Sequence, residues 1–94
     1  MARVTNPPAF LDRLKTALVS GLKSGGIDAD VDSEPVPTTK LHRIMVLAPK
    51  FKALRHTERQ NLVWRIAEQA LAPDEQLQIS MILTLTPDEA NGSS

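Results

Sequence analysis

No cysteine occurs in the 94 residues. Its absence excludes disulfides, a thiol nucleophile and any metal or cluster site built from the chain's own thiolates. Aromatics make up only 3% of the chain, as Phe10, Phe51 and Trp64, and there is no tyrosine. The core must therefore be aliphatic. Glycines number four and none forms a phosphate-cradling loop. No apolar run reaches the roughly 20 residues that span a bilayer. Arg3 is not followed by the apolar stretch of a signal peptide. These absences predict a cytoplasmic protein without membrane association. Neither a Ser–His–Asp order with a nucleophile motif nor a His/Glu metal spacing is present, so the chain reads as non-enzymatic.

An apolar share of 41% and a charged share of 23% suit one small globular domain. The net charge is zero, but it is unevenly spread. Residues 40–65 hold seven bases against Glu58, whereas residues 66–94 hold five acids and no base. A basic middle of this kind attracts phosphate or an acidic partner when its charges share one surface, and is a solvated face when they do not.

Asn6-Pro7-Pro8 reads as a helix start, with Asn6 as N-cap. Phe10, Leu14, Leu18 and Leu22 recur as the apolar stripe of that helix, which Gly25-Gly26 ends. Residues 27–33 alternate apolar and acidic, as a strand with one wet face does. The aspartates do not make an EF-hand, which needs glycine sixth and glutamate twelfth where Ser33 and Thr39 stand. Residues 35–39 form a loop and residues 41–47 a second strand. The continuous apolar run Ile44 to Leu47 predicts a central strand buried on both faces.

A basic connector holding Phe51 and Leu54 leads to Thr57-Glu58-Arg59-Gln60. This fits a capping box with Thr57 as N-cap. Leu62, Ile66 and Ala70 form one row of the next helix and Val63, Ala67 and Leu71 another, until Pro73. Leu77, Ile79, Met81, Leu83 and Leu85 then alternate with Gln78, Ser80, Ile82, Thr84 and Thr86 as a third strand. Asp74-Glu75 and Asp88-Glu89 each follow a proline, which is helix-start chemistry.

A strand–helix–strand crossover makes its two strands parallel, while the short loop makes the first two antiparallel. The expected fold is a single α+β domain over residues 7–89, with residues 90–94 as a disordered tail. It has a three-stranded mixed sheet with helices on one face, in α-β-β-α-β order. Leu14, Leu18, Ile44, Val46, Leu62, Ile66, Ile79 and Met81 are the expected core.

This is also the element order of a type II K-homology domain, and three stretches resemble the BolA-like family. His42-Arg43-Ile44-Met45-Val46-Leu47-Ala48-Pro49-Lys50-Phe51 is similar to its second strand and exit. Glu58-Arg59-Gln60-Asn61-Leu62-Val63-Trp64 is similar to its helix start, and Ile79 to Glu89 to its last strand running into Thr-Pro and an acid. The resemblance implies a monomeric, non-catalytic partner of a monothiol glutaredoxin that shares an iron–sulfur cluster with it. Some members are implied to be DNA-binding regulators of morphology and stress genes. The implied ligands are a His early in the last strand and a His or Cys at the loop before the second strand. Gln78 stands at the first position, and His42 lies about one residue from the second. An amide is a poor ligand for iron in a sulfur-rich site. A one-residue slip turns a side chain to the other face of a strand unless a bulge in the preceding loop restores it. The chain alone is therefore expected to bind no cluster.

A K-homology grip on nucleic acid uses a Gly-x-x-Gly loop, and the connector has no glycine. Binding to DNA backbone phosphates would then rest on Lys50, Lys52, Arg55 and Arg59. His56 reads as a solvated turn residue and Trp64 as a core or groove anchor.

Overall fold

The computed structural model describes residues 8–91. The elements are α1 (Ala9–Ser24), β1 (Asp30–Pro35), β2 (His42–Leu47), a 3₁₀ connector (Pro49–Ala53), α2 (His56–Ala70), α3 (Pro73–Gln76), β3 (Ile79–Leu85) and α4 (Pro87–Ala90). β2 is central in the order β1-β2-β3, antiparallel to β1 and parallel to β3. The α+β fold, with a mixed sheet and α1 and α2 packed on one face, is the one the periodicities predict. Expected residues Asn6, Pro7 and 92–94 lie outside the described residues. Ala90, assigned to the tail, closes α4 instead.

Local chemistry sets most element ends. At the end of α1 the Ile27 N–H bonds to Leu22 O and the Gly26 N–H to Lys23 O, a Schellman closure. It needs the left-handed φ of 83° that Gly26 adopts. α3 and α4 begin at Pro73 and Pro87, and Glu75 and Glu89 each accept a hydrogen bond from the N–H just before the helix, at Ala72 and Thr86. Only at Thr86 is the capping box reciprocal, its hydroxyl accepting from the Glu89 N–H. The N-cap of α2 is Arg55 rather than Thr57: Glu58 Oε1 accepts from the Arg55 N–H at 2.7 Å. Gln60 is thereby released from any capping role.

Two phases differ from the sequence expectation. In α2 the row facing the sheet is Arg59, Val63 and Ala67, continued by Leu71, whereas Leu62 and Ile66 are half-buried. Ile66 packs instead on α1, where Gly21 leaves it room; a Cβ there would lie 2.9 Å from its Cδ1. In β3, His42 pairs with Ile79 but Arg43 with Met81, so Ser80 is an extra residue and the strand is bulged. Beyond the bulge the alternation reverses. Ile82, Thr84 and Thr86 turn inward, and Met81, expected in the core, is 45% exposed. Leu77, expected to open the strand, lies in the turn before it and is exposed. β2 is likewise buried on one face only, through Ile44 and Val46, while Met45 and Leu47 are half-buried on the other.

Gly21→Val should lower stability by about 1–3 kcal/mol through overpacking. The penalty should shrink in an Ile66→Ala background, because the two side chains compete for one space. Urea melts of both single variants and the double variant measure this; additive losses would show that Gly21 is not a contact point between the helices.

Candidate functional site

Arg59 does not belong to a basic surface. The residue is 7% exposed, and its guanidinium lies over the Phe51 ring, 5.7 Å from the centroid. Nε donates to Phe51 O at 2.9 Å and Leu54 O at 3.2 Å, and NH1 to Thr84 O at 3.1 Å and Glu89 Oε1 at 2.9 Å. This corrects the expectation that Arg59 contacts phosphate: the side chain is buried, and its Nε and NH1 are committed to the connector, β3 and α4. Gln60, next in sequence, donates to Ile82 O at 2.8 Å and Thr84 Oγ1 at 3.0 Å. Arg59 and Gln60 together occupy alternate carbonyls on the outer edge of β3, which protects that edge from pairing.

The other connector bases stay at the surface. Lys50 is exposed, and its Nζ donates to Gly26 O at 2.6 Å, tethering the connector to the α1 terminus. Lys52 and Arg55 are exposed. An open apolar depression of about 540 Å³, lined by Ile27, Pro49, Ala53 and Leu54, lies between the two lysines. Elsewhere in the basic middle, Arg43 sits 2.9 Å from Glu34 as an ion pair without hydrogen-bond alignment. The block of seven bases is therefore divided between several surfaces and the interior.

His42 and Gln78 meet at one end of the sheet, where the His42 N–H donates to Gln78 O at 2.8 Å. The imidazole is half-buried and packs edge-on against Phe10, with centroids 6.1 Å apart. It therefore turns toward the helix-covered face. The bulge is in β3 rather than in the loop before β2, and its Ser80 hydroxyl donates to His42 O at 3.2 Å. Among the described residues no group of three or more His, Cys, Asp or Glu side chains is placed to hold a metal ion. On the other side of β3, His56, Gln60, Trp64 and Met81 line an open groove of about 370 Å³. Trp64 is half-buried, packing against the core while lining this groove.

No family model matches the chain, and no curated protein matches it. Among the described residues no helix is long and apolar enough to cross a membrane.

In sequence Glu89 reads only as helix-start chemistry; the fold adds a second role at Arg59. Its carboxyl is held below the ordinary 4.5, first by the Thr86 N–H and then by Arg59. The unfolded chain therefore binds this proton more tightly than the folded one. Stability from Glu89 is complete above about pH 4.5 and is lost as pH falls through the lower folded value. Glu89→Gln should destabilise the domain at pH 7, with the difference from wild type narrowing below about pH 4.5. Thermal melts across pH 3–7 check this; a gap constant with pH would show that the charge of Glu89 at Arg59 and the Thr86 N–H does not contribute.

Proposed function

We propose that this chain is a BolA-like, non-enzymatic interaction protein whose partner is a monothiol glutaredoxin in iron or iron–sulfur handling. The observation that carries the reading is the meeting of His42 and Gln78, distant in sequence, at one end of the sheet. These are the residues nearest the ligand positions that the resemblance implies. The element order supports it, and so does the convergence of all three resembling stretches on Arg59.

The donor set does not fit an iron–sulfur cluster. Gln78 offers a neutral amide where imidazole or thiolate is favoured, and the His42 ring is packed on Phe10. The proposed role is therefore docking without ligation by this chain. Mixed with a cluster-loaded monothiol glutaredoxin, the protein should co-elute in size-exclusion chromatography and leave the visible spectrum of the cluster unchanged. Gln78→His should produce a new spectrum. Failure to co-elute, or a wild-type spectral shift abolished by His42→Ala, would overturn the reading.

A second reading, DNA binding, is favoured by exposed Lys52 and Arg55 at the start of a long helix. Without Arg59 the contacts are few, and Phe51, the aromatic between Lys50 and Lys52, is buried and offers no face to a base. Binding to duplex DNA should then be no tighter than about 10⁻⁴–10⁻⁶ M and fall steeply with salt. Lys52→Glu with Arg55→Glu should weaken it on all sequences alike and reduce the salt slope. Titrations at several salt concentrations measure both, and binding that survives the double reversal would place the contacts elsewhere.

A further inference from the structure

The face of the sheet turned away from α1 and α2 has an ordered chemistry. In register, Asp30 lies opposite Leu47, which lies beside Leu85; Asp32 lies opposite Met45, which lies beside Leu83. Two rows thus run carboxylate, apolar, apolar from β1 to β3. A third runs Glu34, Arg43, Met81, and there the carboxylate is neutralised by its neighbour. Among the described residues Asp30 and Asp32 have no ion pair. A sheet face left to water normally carries polar side chains on all of its strands. Here β1 presents three carboxylates, β2 only Arg43 as a polar group, and the facing positions Met81, Leu83 and Leu85 of β3 are all apolar.

We propose that this face binds a basic amphipathic helix of a partner protein. The apolar stripe of the helix lies over Met45, Leu47, Leu83 and Leu85, and its Lys or Arg residues lie over Asp30 and Asp32. The dimensions agree. Strands are about 4.8 Å apart, so the carboxylates stand at the flank of a helix about 10 Å wide centred on β2 and β3. Alternate residues along a strand are about 6.7 Å apart, and residues i and i+4 of a helix rise about 6 Å, so one basic flank meets both carboxylates. The carboxylates disfavour nucleic acid and anionic lipid. A second copy laid face to face would bring two such carboxylate rows together with Arg43 as the only basic group in the three rows of each face. This surface borders the connector at Pro49, which lines a pocket with Asp30 and Leu47, but it uses none of His42, Gln78, Lys52 and Arg55, so it stands or falls independently of the glutaredoxin and DNA readings.

The test is a titration of isotope-labelled protein with a synthetic helix bearing leucines on one stripe and lysines at i and i+4 of its flank. A second helix carries glutamates in place of the lysines. The lysine helix should shift amide resonances of β2, β3 and Asp30–Asp32, and the glutamate helix should bind much more weakly. Asp30→Asn with Asp32→Asn should weaken the lysine helix roughly three- to tenfold and flatten its salt dependence. Both positions are exposed, and an unchanged thermal midpoint checks that the variant is folded. Met45→Gln should weaken both helices. Equal binding of the two helices, shifts centred on Lys50–Arg55 or on His56, Gln60 and Trp64 of α2, no shifts at millimolar lysine helix, or a dimer sealed through this face would each overturn the proposal.

Discussion

The guanidinium of Arg59 is the interaction on which the arrangement of the other parts depends. A planar group with fixed donors spans the connector, β3 and α4 at once, a geometry that a lysine ammonium does not reproduce. Hydrogen bonds from charged donors contribute about 1.5–3 kcal/mol each, and a buried carbonyl left without a partner costs about 1–3 kcal/mol. Phe51 O, Thr84 O and the half-exposed Glu89 carboxylate are thus held by one side chain. The connector's 3₁₀ bonds, such as Leu54 N–H to Phe51 O, are internal to it and do not fix its place on the domain. Its position, and with it the orientation of Lys52 and Arg55, follows from the burial of Phe51 and the carbonyls that Arg59 gathers.

The bulge at Ser80 is the second constraint. One extra residue in β3 reverses which side chains meet the helices, so threonines rather than leucines complete the core. A buried threonine hydroxyl needs a partner, and Gln60 supplies it at Thr84 while also taking Ile82 O. The same reversal turns Met81, Leu83 and Leu85 to the open face. Core, protected edge and apolar outer surface are three consequences of one inserted residue.

Charge follows a similar logic. The run of bases in the middle of the chain suggests a cationic surface, but the fold scatters it. Arg59 goes inside, Arg43 goes to the outer sheet face beside Glu34, and Lys50 is tied to Gly26 O. The acidic alternation in β1 stays intact because a strand places every second residue on one face. Periodicity along an element therefore preserved a charge pattern where clustering along the chain did not.

The sequence by itself determined the element order, the antiparallel and parallel pairings, and the punctuation by Gly25-Gly26, Pro73 and Pro87. These depend on backbone geometry within a few residues and on the handedness of crossovers. It also brought out Leu14 and Leu18, whose spacing left one buried face, and Ile44 and Val46, which stand in an unbroken apolar run that did not say which face is buried. Only the tertiary structure decided the phase of β3, the face of α2 that meets the sheet, the burial of Arg59 and the meeting of His42 with Gln78. In sequence the alternation of β3 put Met81, Leu83 and Leu85 on the core face; the extra residue Ser80 in the pairing with β2 reversed that choice beyond the bulge. A long basic side chain reads as solvent-exposed until its surroundings offer enough acceptors to hold it inside, and those acceptors came from segments far from it in the chain.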